Sequence, residues 1–506
     1  YTGGFAAPHA VEMLRAGSPE PSPAGGSIRT TLDWTLQHQV ESIISGRLAA
    51  LKDSHVKHAA AVVIDNATGY VLALAGSRDF FAPDGGQING VWAPRSPGSA
   101  IKPFTYALAF ERGATPASIV ADLPVEFTTP SGIYRPENYA HRLYGPVTYR
   151  EALGNSLNIS AVKVLASVGG AETLLEKLQS LGIGTLTENA EHYGLGLTIG
   201  NAPVRLIELA NAYACLARLG IDRPWTMTPG GPPMEGKRLL GEHECFLVSD
   251  ILSDNQARLL TFGANSPLKL PFPAAVKTGT SQSYRDNWTI GYTPEYTVGV
   301  WTGNFDNTPM QEVSGVTGAA PIWRAIIQQV HERRPPTWYS PPAGLVRKRI
   351  DPRTGRQLTP QSPPARVSRE EWFAEDRLPP TASAADYDKR GRAILPAEFD
   401  EWIRSSENWM GDIVTTAKEI EAQRWRISNP TPGTVIRLDP DVPNEGRKLL
   451  LQTTPPRQVR WLCGSLQVRS DGNVAFVMLT PGRHEFVAQD PRTGEEQRTF
   501  VIVHPE

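Results

Sequence analysis

A serine hydroxyl becomes a nucleophile when an amine sits where it can take the proton, and a lysine three positions after a serine puts both on one helix face. Four such S-x-x-K spacings occur: Ser54/Lys57, Ser99/Lys102, Ser160/Lys163 and Ser266/Lys269. Only Ser99 follows a Pro97-Gly98 bend and precedes a helical run, Phe104 to Phe110. That context puts the hydroxyl at a helix start, where unpaired N–H groups favour developing negative charge. Ser266/Lys269 contains Pro267 and Ser54/Lys57 lies just past a helix end, so both are set aside. A second element is Lys277-Thr278-Gly279-Thr280, which occurs once and closes a strand-like run. A cation, two hydroxyls and a bare glycine on an exposed strand make a surface for a substrate backbone that carries a carboxylate. A third is Ser156-Leu157-Asn158, a hydroxyl and an amide two residues apart at a break between helical stretches. It has two rivals, Ser253-Asp254-Asn255 and Ser406-Glu407-Asn408. The first stands few positions before Lys277 inside an apparent helix from Cys245 to Leu260, and the second lies beyond the catalytic stretch.

The elements that must hold these groups are legible from periodicity. Leu32, Leu36, Val40, Ile43, Ile44, Leu48 and Leu51 predict a helix over 31–51, with Thr30, Thr31 and Asp33 as candidate N-caps. Ala59 to Ile64 and Tyr70 to Ala75 flank Asp65-Asn66-Ala67-Thr68-Gly69 and predict a hairpin. From Ser99 to Ala274 the pattern is mostly helical. Three strand-like runs follow, Ala275 to Thr280, Asn287 to Tyr292 and Tyr296 to Gly303, and then a helix from Pro321 to His331. Two early strands, a helical insertion, three late strands and a closing helix describe one α+β domain with a sheet assembled from distant segments. From Arg334 to about Pro396 prolines crowd together and predict a linker or an extended clamp, followed by a polar helix over 401–424. Residues 427–506 carry six short strands with turn punctuation, the pattern of a small β-sandwich.

Composition narrows the function classes. The chain has 506 residues, a formal charge of −2, 40% hydrophobic and 20% charged residues, so it is a globular protein of about three domains rather than a disordered one, and nucleic acid is not an expected partner. No apolar run is long enough to span a bilayer. The chain begins at Tyr1 without a Met or a signal-like segment, which predicts a soluble fragment of a longer precursor whose signal or anchor lies upstream. Cys215, Cys245 and Cys463 are too few and too scattered for a disulfide framework. His55 with His58, and His243 with Cys245, lack the further ligands of a zinc site, so no metal is expected. In the C-terminal stretch, His484 and Cys463 stand apart from obvious partners, and Trp461 reads as core.

S-x-x-K, S-x-N and K-T-G in this order form the set shared by penicillin-binding proteins and class A β-lactamases. Arg95 to Gly113, Gly145 to Val162, Leu206 to Gly220, Ile251 to Arg258 and Lys277 to Pro294 resemble class A penicillin-binding protein transpeptidase sequence, and with Ile28 to Gln37 the similarity covers about 28–333. The Pro-rich stretch and the β domain, with Val459 to Leu466, resemble the C-terminal extension of the penicillin-binding protein 1C subgroup. The resemblance implies a transpeptidase fold, an antiparallel sheet with helices plus an all-helical subdomain. It implies four parts: 1–27 leading out of an upstream glycosyltransferase domain, 28–333 the transpeptidase, 334–426 the linker and 427–506 the sandwich.

It also implies roles. Ser99 would attack the penultimate carbonyl of a D-Ala-D-Ala stem peptide, with Lys102 as base and Lys277 supplying the charge that keeps Lys102 neutral. Ser156 would pass the proton to the leaving D-Ala, Asn158 would orient Lys102 and the substrate amide, and Thr278, Gly279 and Thr280 would hold the terminal carboxylate. The N–H groups of Ser99 and Thr280 would bind the oxyanion. No cofactor is needed; the ligands are stem peptides, an acceptor amine and β-lactams. Residues 427–506 would dock a partner protein or the glycan, and the site would lie outside the cytoplasmic membrane, the full protein being anchored in it. A class A β-lactamase would need a deacylating Glu in E-x-x-x-N between Asn158 and Lys277, and none is there. A D,D-carboxypeptidase with the same triad stays open, as does an idle scaffold or a β-lactam sensor.

Overall fold

The computed structural model describes residues 7–16, 27–129, 132–230, 236–311, 313–423, 425–438, 447–471 and 474–505. The chain divides into two compact units, one of 1–393 with 404–414, the other of 394–403 with 415–506.

The first unit is built on a five-stranded antiparallel sheet in the order Val71–Ala75, His58–Asp65, Tyr296–Gly303, Asp286–Tyr292, Ala275–Thr280. Two strands come from the beginning of the unit and three from its end, as the sequence predicts. The run Ala59–Ile64 is apolar at every position because helices cover both faces. Ala60, Val62 and Ile64 point into a core shared with helices Lys102–Glu111 and Leu206–Ala217, and Ala59, Ala61 and Val63 into one shared with Trp34–Ala49 and Ala319–His331. Of the three cap candidates it is Asp33 that accepts the Leu36 N–H, at 2.9 Å. Cys215 and Cys245 are fully buried in the first core.

Three expectations change. The insertion is not all helix: Ile119–Asp122 pairs with Gly145–Thr148, and Phe127–Thr129 with Gly132–Tyr134, strands too short to show an alternation. The helix expected from Cys245 to Leu260 runs from Glu242 to Ser253, and a separate turn of helix spans Leu259–Phe262. The proline-rich stretch, expected as a linker or an extended clamp, is folded. Its strands Leu345–Asp351, Arg356–Gln357 and Arg369–Ala374 form a sheet, and Trp338, Tyr339, Leu345 and Trp372 join the first core. Prolines interrupt its periodicity, but isolated large apolar residues between them suffice to anchor it. Of the leading stretch 1–27, most lies outside the described residues; Pro8–Ala16 within it is a helix that opens on proline.

In the second unit two four-stranded sheets enclose Leu451, Val477, Phe486, Val501 and Val503, a sandwich core. All six expected strands are present, Thr434–Arg437 pairing parallel with the last one. Arg426–Asn429 and Val468–Asp471 are added; both are too polar to be read from the sequence. The polar helix expected over 401–424 is instead Asp400–Arg404, a strand Val414–Thr416 and Ala417–Gln423. Trp461 packs on this core. His484 is not isolated: Ser465 Oγ lies 2.8 Å from its Nδ1, and its Nε2 lies 2.6 Å from the Thr480 carbonyl. No described helix is long and apolar enough to cross a membrane.

Candidate active site

Ser99 sits in a 3-10 turn, Gly98–Ile101, that runs directly into helix Lys102–Glu111. Every side chain of that helix from Lys102 to Phe110 is buried, so it is a central helix and Lys102 has no exposed surface. Ser99 itself is half-buried. The two glycines of the motifs explain each other. A Cβ on Gly98, whose φ is +52°, would stand 2.5 Å from the Thr280 carbonyl oxygen, and one on Gly279 would stand 2.0 Å from that of Pro97. Side-chain-free backbone lets the serine turn and the K-T-G strand lie against each other. The bare face of Gly279 is therefore turned to Pro97, not to an open substrate surface, and the strand is buried rather than exposed: Lys277 is 3% and Thr278 6% exposed. Thr280 Oγ1 accepts the Gly315 N–H at 3.0 Å.

Ser156 is the second wall. It takes a left-handed conformation, φ +60°, which a non-glycine residue adopts only when its surroundings hold it there. Asn155 does the holding. Its Nδ2 donates to the carbonyls of Glu151 (2.9 Å) and Ala257 (2.8 Å), and its Oδ1 accepts the Thr261 N–H (3.0 Å). Asn158 then opens helix Asn158–Ser167, its N–H bonded to Asn138 Oδ1 and its Nδ2 to the Glu137 carbonyl, both at 2.8 Å.

The three motifs converge on two ammonium groups. Lys102 Nζ donates to the Ser156 carbonyl (2.6 Å) and Asn158 Oδ1 (2.7 Å), and lies 3.5 Å from Ser156 Oγ. Lys277 Nζ donates to Ser156 Oγ at 2.7 Å and to the Thr278 carbonyl at 2.8 Å. One hydroxyl thus stands between two lysines. Burial pushes Lys102 well below the ordinary lysine value, the charge of Lys277 pushes it further down, and Asp122 opposes. Burial and the nearby Arg258 guanidinium push Lys277 down to about 7. The arrangement can keep one lysine neutral near neutral pH and pass a proton through a hydroxyl.

The rival groups are committed elsewhere. Ser253 ends its helix with its hydroxyl on the Asp250 carbonyl, 3.0 Å. Ser160 is buried and donates to Asp122 Oδ2 at 2.7 Å, and Lys163 donates to the Ala121 carbonyl. Glu407, within the third S-x-N, accepts the Leu143 N–H at 2.8 Å.

Sequence reasoning assigned nothing to Asp122, Asn138, Asn155 or Arg258. Asp122 is a buried carboxylate, raised by desolvation and held by Ser160, Tyr144 N–H and Asn138 Nδ2. Arg258 is buried and donates to the Leu252 carbonyl. A single Asp at a strand end and a single Arg past a helix carry no spacing signal, although Arg258 does close one of the segments on which the resemblance rests.

Comparison with known proteins fits this geometry. The penicillin binding protein transpeptidase domain model matches residues 59–328. Penicillin-binding protein 1C of Escherichia coli (strain K12) is 31% identical over 380 residues, 74% of this chain and 47% of that protein. Penicillin-binding protein 2D of Bacillus subtilis (strain 168) is 31% identical over 356 residues, 67% of this chain and 50% of that protein. The chain spans about half the length of these relatives. Among solved structures, penicillin-binding protein 1A from Haemophilus influenzae has the same fold, with a TM-score of 0.63 at 18% identity, covering 75% of this chain and 77% of that one. PonA1 from Mycobacterium tuberculosis, solved in complex with penicillin V, superposes with a TM-score of 0.53 at 23% identity, covering 62% and 88%. With its sheet, its buried lysine pair and more than half of its residues matched by the family model, the chain belongs to the penicillin-binding protein transpeptidase domain family.

Proposed function

We propose that the first unit is a D,D-transpeptidase that cross-links peptidoglycan stem peptides through a Ser99 acyl-enzyme and is acylated by β-lactams. The observation that carries the reading is the buried relay in which Ser156 Oγ bridges Lys277 (2.7 Å) and Lys102 (3.5 Å), with Lys102 three residues from Ser99. Neutral Lys102 Nζ takes the Ser99 proton as Oγ bonds to the penultimate D-Ala carbonyl carbon. The oxyanion is met by the N–H groups of Ser99 and Thr280, donors of a kind worth about 3–4 kcal/mol each in another hydrolase. The C–N bond then breaks, and the proton travels from Lys102 through Ser156 Oγ to the departing D-Ala amine. An acceptor amine reverses the path, giving its proton to Lys102 and freeing Ser99. Asn158 Oδ1 keeps Lys102 aimed, while Lys277, Thr278 and Thr280 hold the terminal carboxylate. The chemistry places the unit outside the cytoplasmic membrane, where peptidoglycan lies, and the second unit acts as a docking module for a partner protein or the glycan.

Incubation with a penicillin followed by peptide mass mapping tests this. The expected adduct is on the peptide containing Ser99 and disappears in Ser99→Ala; an adduct on Ser160 or Ser266 would sink the assignment. Turnover of a D-Ala-D-Ala peptide with and without an acceptor amine separates transpeptidation from carboxypeptidation.

The lysine pair also predicts a pH profile. The carboxylate site needs Lys277 charged and the base needs Lys102 neutral. Since Lys277 loses its proton at about 7, kcat/KM for acylation should fall as pH rises through that value. Arginine stays charged, so Lys277→Arg should shift the falling limb upward by more than a pH unit in whatever activity remains. A profile flat from pH 6 to 9 in the parent chain would show that the charge on Lys277 is not what binds the carboxylate.

A further inference from the structure

Two tyrosines 145 positions apart meet beside the site. Tyr139 Oη donates to Tyr284 Oη at 2.8 Å, and the rings stand edge to face, 6.2 Å between centroids at 82°. Tyr139 is 60% exposed, although it is aromatic and its neighbours are anchored. Each ring grows from the backbone of one wall. Glu137 and Asn138, which hold Asn158 from both sides, immediately precede Tyr139. Tyr284 lies in the loop just past Thr280, at the other wall.

That loop is held in a costly shape. Ser283 and Tyr284 have φ values of +60° and +55°, a region a bulky residue rarely enters. It is pinned from below. The Ser281 N–H reaches the Asp286 carbonyl at 2.9 Å, the Asp286 N–H reaches Ser281 Oγ at 2.9 Å, Trp301 Nε1 donates to Asp286 Oδ1 at 2.9 Å, and the Met310 N–H reaches the Tyr284 carbonyl at 3.0 Å. A rigid base that forces Tyr284 to meet a residue of the opposite wall spans the space between the walls.

We propose that Tyr139 and Tyr284 form an aromatic strap that selects acyl donors, contacting the stem peptide on the amino side of the scissile bond. This rests on the transpeptidase reading above. The order of groups along the strand decides the side. Lys277 lies at the Ser156 end, Thr280 lies against Gly98 beside Ser99, and Tyr284 comes after both. A peptide with its carboxylate at Lys277 and its reacting carbonyl at Ser99 sends its remaining residues past Thr280, under the two rings. The phenol faces take aliphatic side chains, and the hydroxyls, joined to each other by a solvent-facing bond, exchange it for bonds to peptide carbonyls at little cost. A small bicyclic β-lactam meets less of the strap than an extended peptide does.

The test uses the whole chain, a fluorescent penicillin as the small donor and a synthetic pentapeptide ending in D-Ala-D-Ala as the extended one. The peptide is read by the protection it gives Ser99 against labelling. In Tyr139→Ala and in Tyr284→Ala the peptide concentration for half protection should rise at least fivefold more than the penicillin labelling rate falls. Tyr139→Phe and Tyr284→Phe keep the rings and avoid any folding defect. Each should weaken protection by a smaller factor, and the double Phe variant should weaken it by about the product of the two, since each hydroxyl makes its own bond to the peptide. No protection by the peptide in the parent chain, a selectivity shift below fivefold in the Ala variants, or a double Phe variant no worse than either single one would overturn the strap. Absence of penicillin labelling at Ser99 in the parent chain would instead overturn the transpeptidase reading.

Discussion

Lys102→Ala is expected to slow Ser99 acylation by a penicillin by about 10²–10⁴-fold, the range a positioned general base contributes. Lys102 is fully buried, and its ammonium group is held by Ser156 and Asn158, while the other amine of the site, Lys277, is bonded to Ser156 Oγ and the Thr278 carbonyl. Lys102→Arg separates the base from the bulk. It keeps a long cation in the cavity but cannot give up its proton at any working pH, so it should be as slow as the alanine variant. Ser253→Ala should acylate at the parent rate, because that hydroxyl serves only its own helix end. Stopped-flow or gel-based labelling with a fluorescent penicillin measures all three. Lys102→Ala within tenfold of the parent, or Ser253→Ala as slow as Ser156→Ala in a folded protein, would show that the base or the second motif is wrongly assigned.

Glu371→Ala is expected to destabilise the first unit by about 3 kcal/mol, the lower end of what removal of one partner from a buried ion pair costs. Arg150 is 4% exposed and Glu371 1%. The guanidinium donates Nε to Glu371 Oε2 and Nη2 to Oε1, both at 2.5 Å, and also bonds Asp250. Losing Glu371 leaves a buried cation with Asp250 and, at 3.3 Å, Asp254 as its partners. Arg150 belongs to helix Tyr149–Gly154, which leads into the strained Ser156 turn, so acylation should weaken together with stability. A shift of the urea midpoint with an unchanged slope measures the effect, and a loss below about 1 kcal/mol would contradict it. The same contacts dictate where the chain can be cut. Ending it after Arg333 removes Glu371, Trp338, Tyr339 and Trp372 and should yield no folded catalytic unit. Ending it after Val414 keeps the first unit whole.

How much of this was open to a reader of the sequence depends on the range over which the chain itself sets geometry. Ser99 and Lys102 are three residues apart, Ser156 and Asn158 two, and Lys277 to Thr280 contiguous, so chain geometry alone puts each set on one turn or one strand. The sheet strands were legible for the same reason: Ala59–Ile64 and Tyr296–Gly303 are unbroken apolar or β-branched runs of strand length. Thus the nucleophile, its base, the K-T-G strand and the α+β class were determined by local residue order.

What local order leaves open is which distant segments meet, and that depended on packing. Three S-x-N triplets are equivalent as text; Ser156 became the partner of both lysines because Asn155 and the Ala257–Thr261 segment lock its turn beside Lys102. Gly279 was read as room for a substrate and Gly98 as part of a bend, and only the fold turned the bare side of each toward opposing backbone. The proline-rich stretch read as a linker or an extended clamp because prolines erase periodicity, and only packing gave Trp338, Tyr339 and Trp372 places in a core made by residues far away. The depressed pKa values of Lys102 and Lys277 likewise belong to no motif. They arise because desolvation is a property of everything that surrounds a group, and a neighbouring charge such as Arg258 counts only once the tertiary structure has brought it within reach.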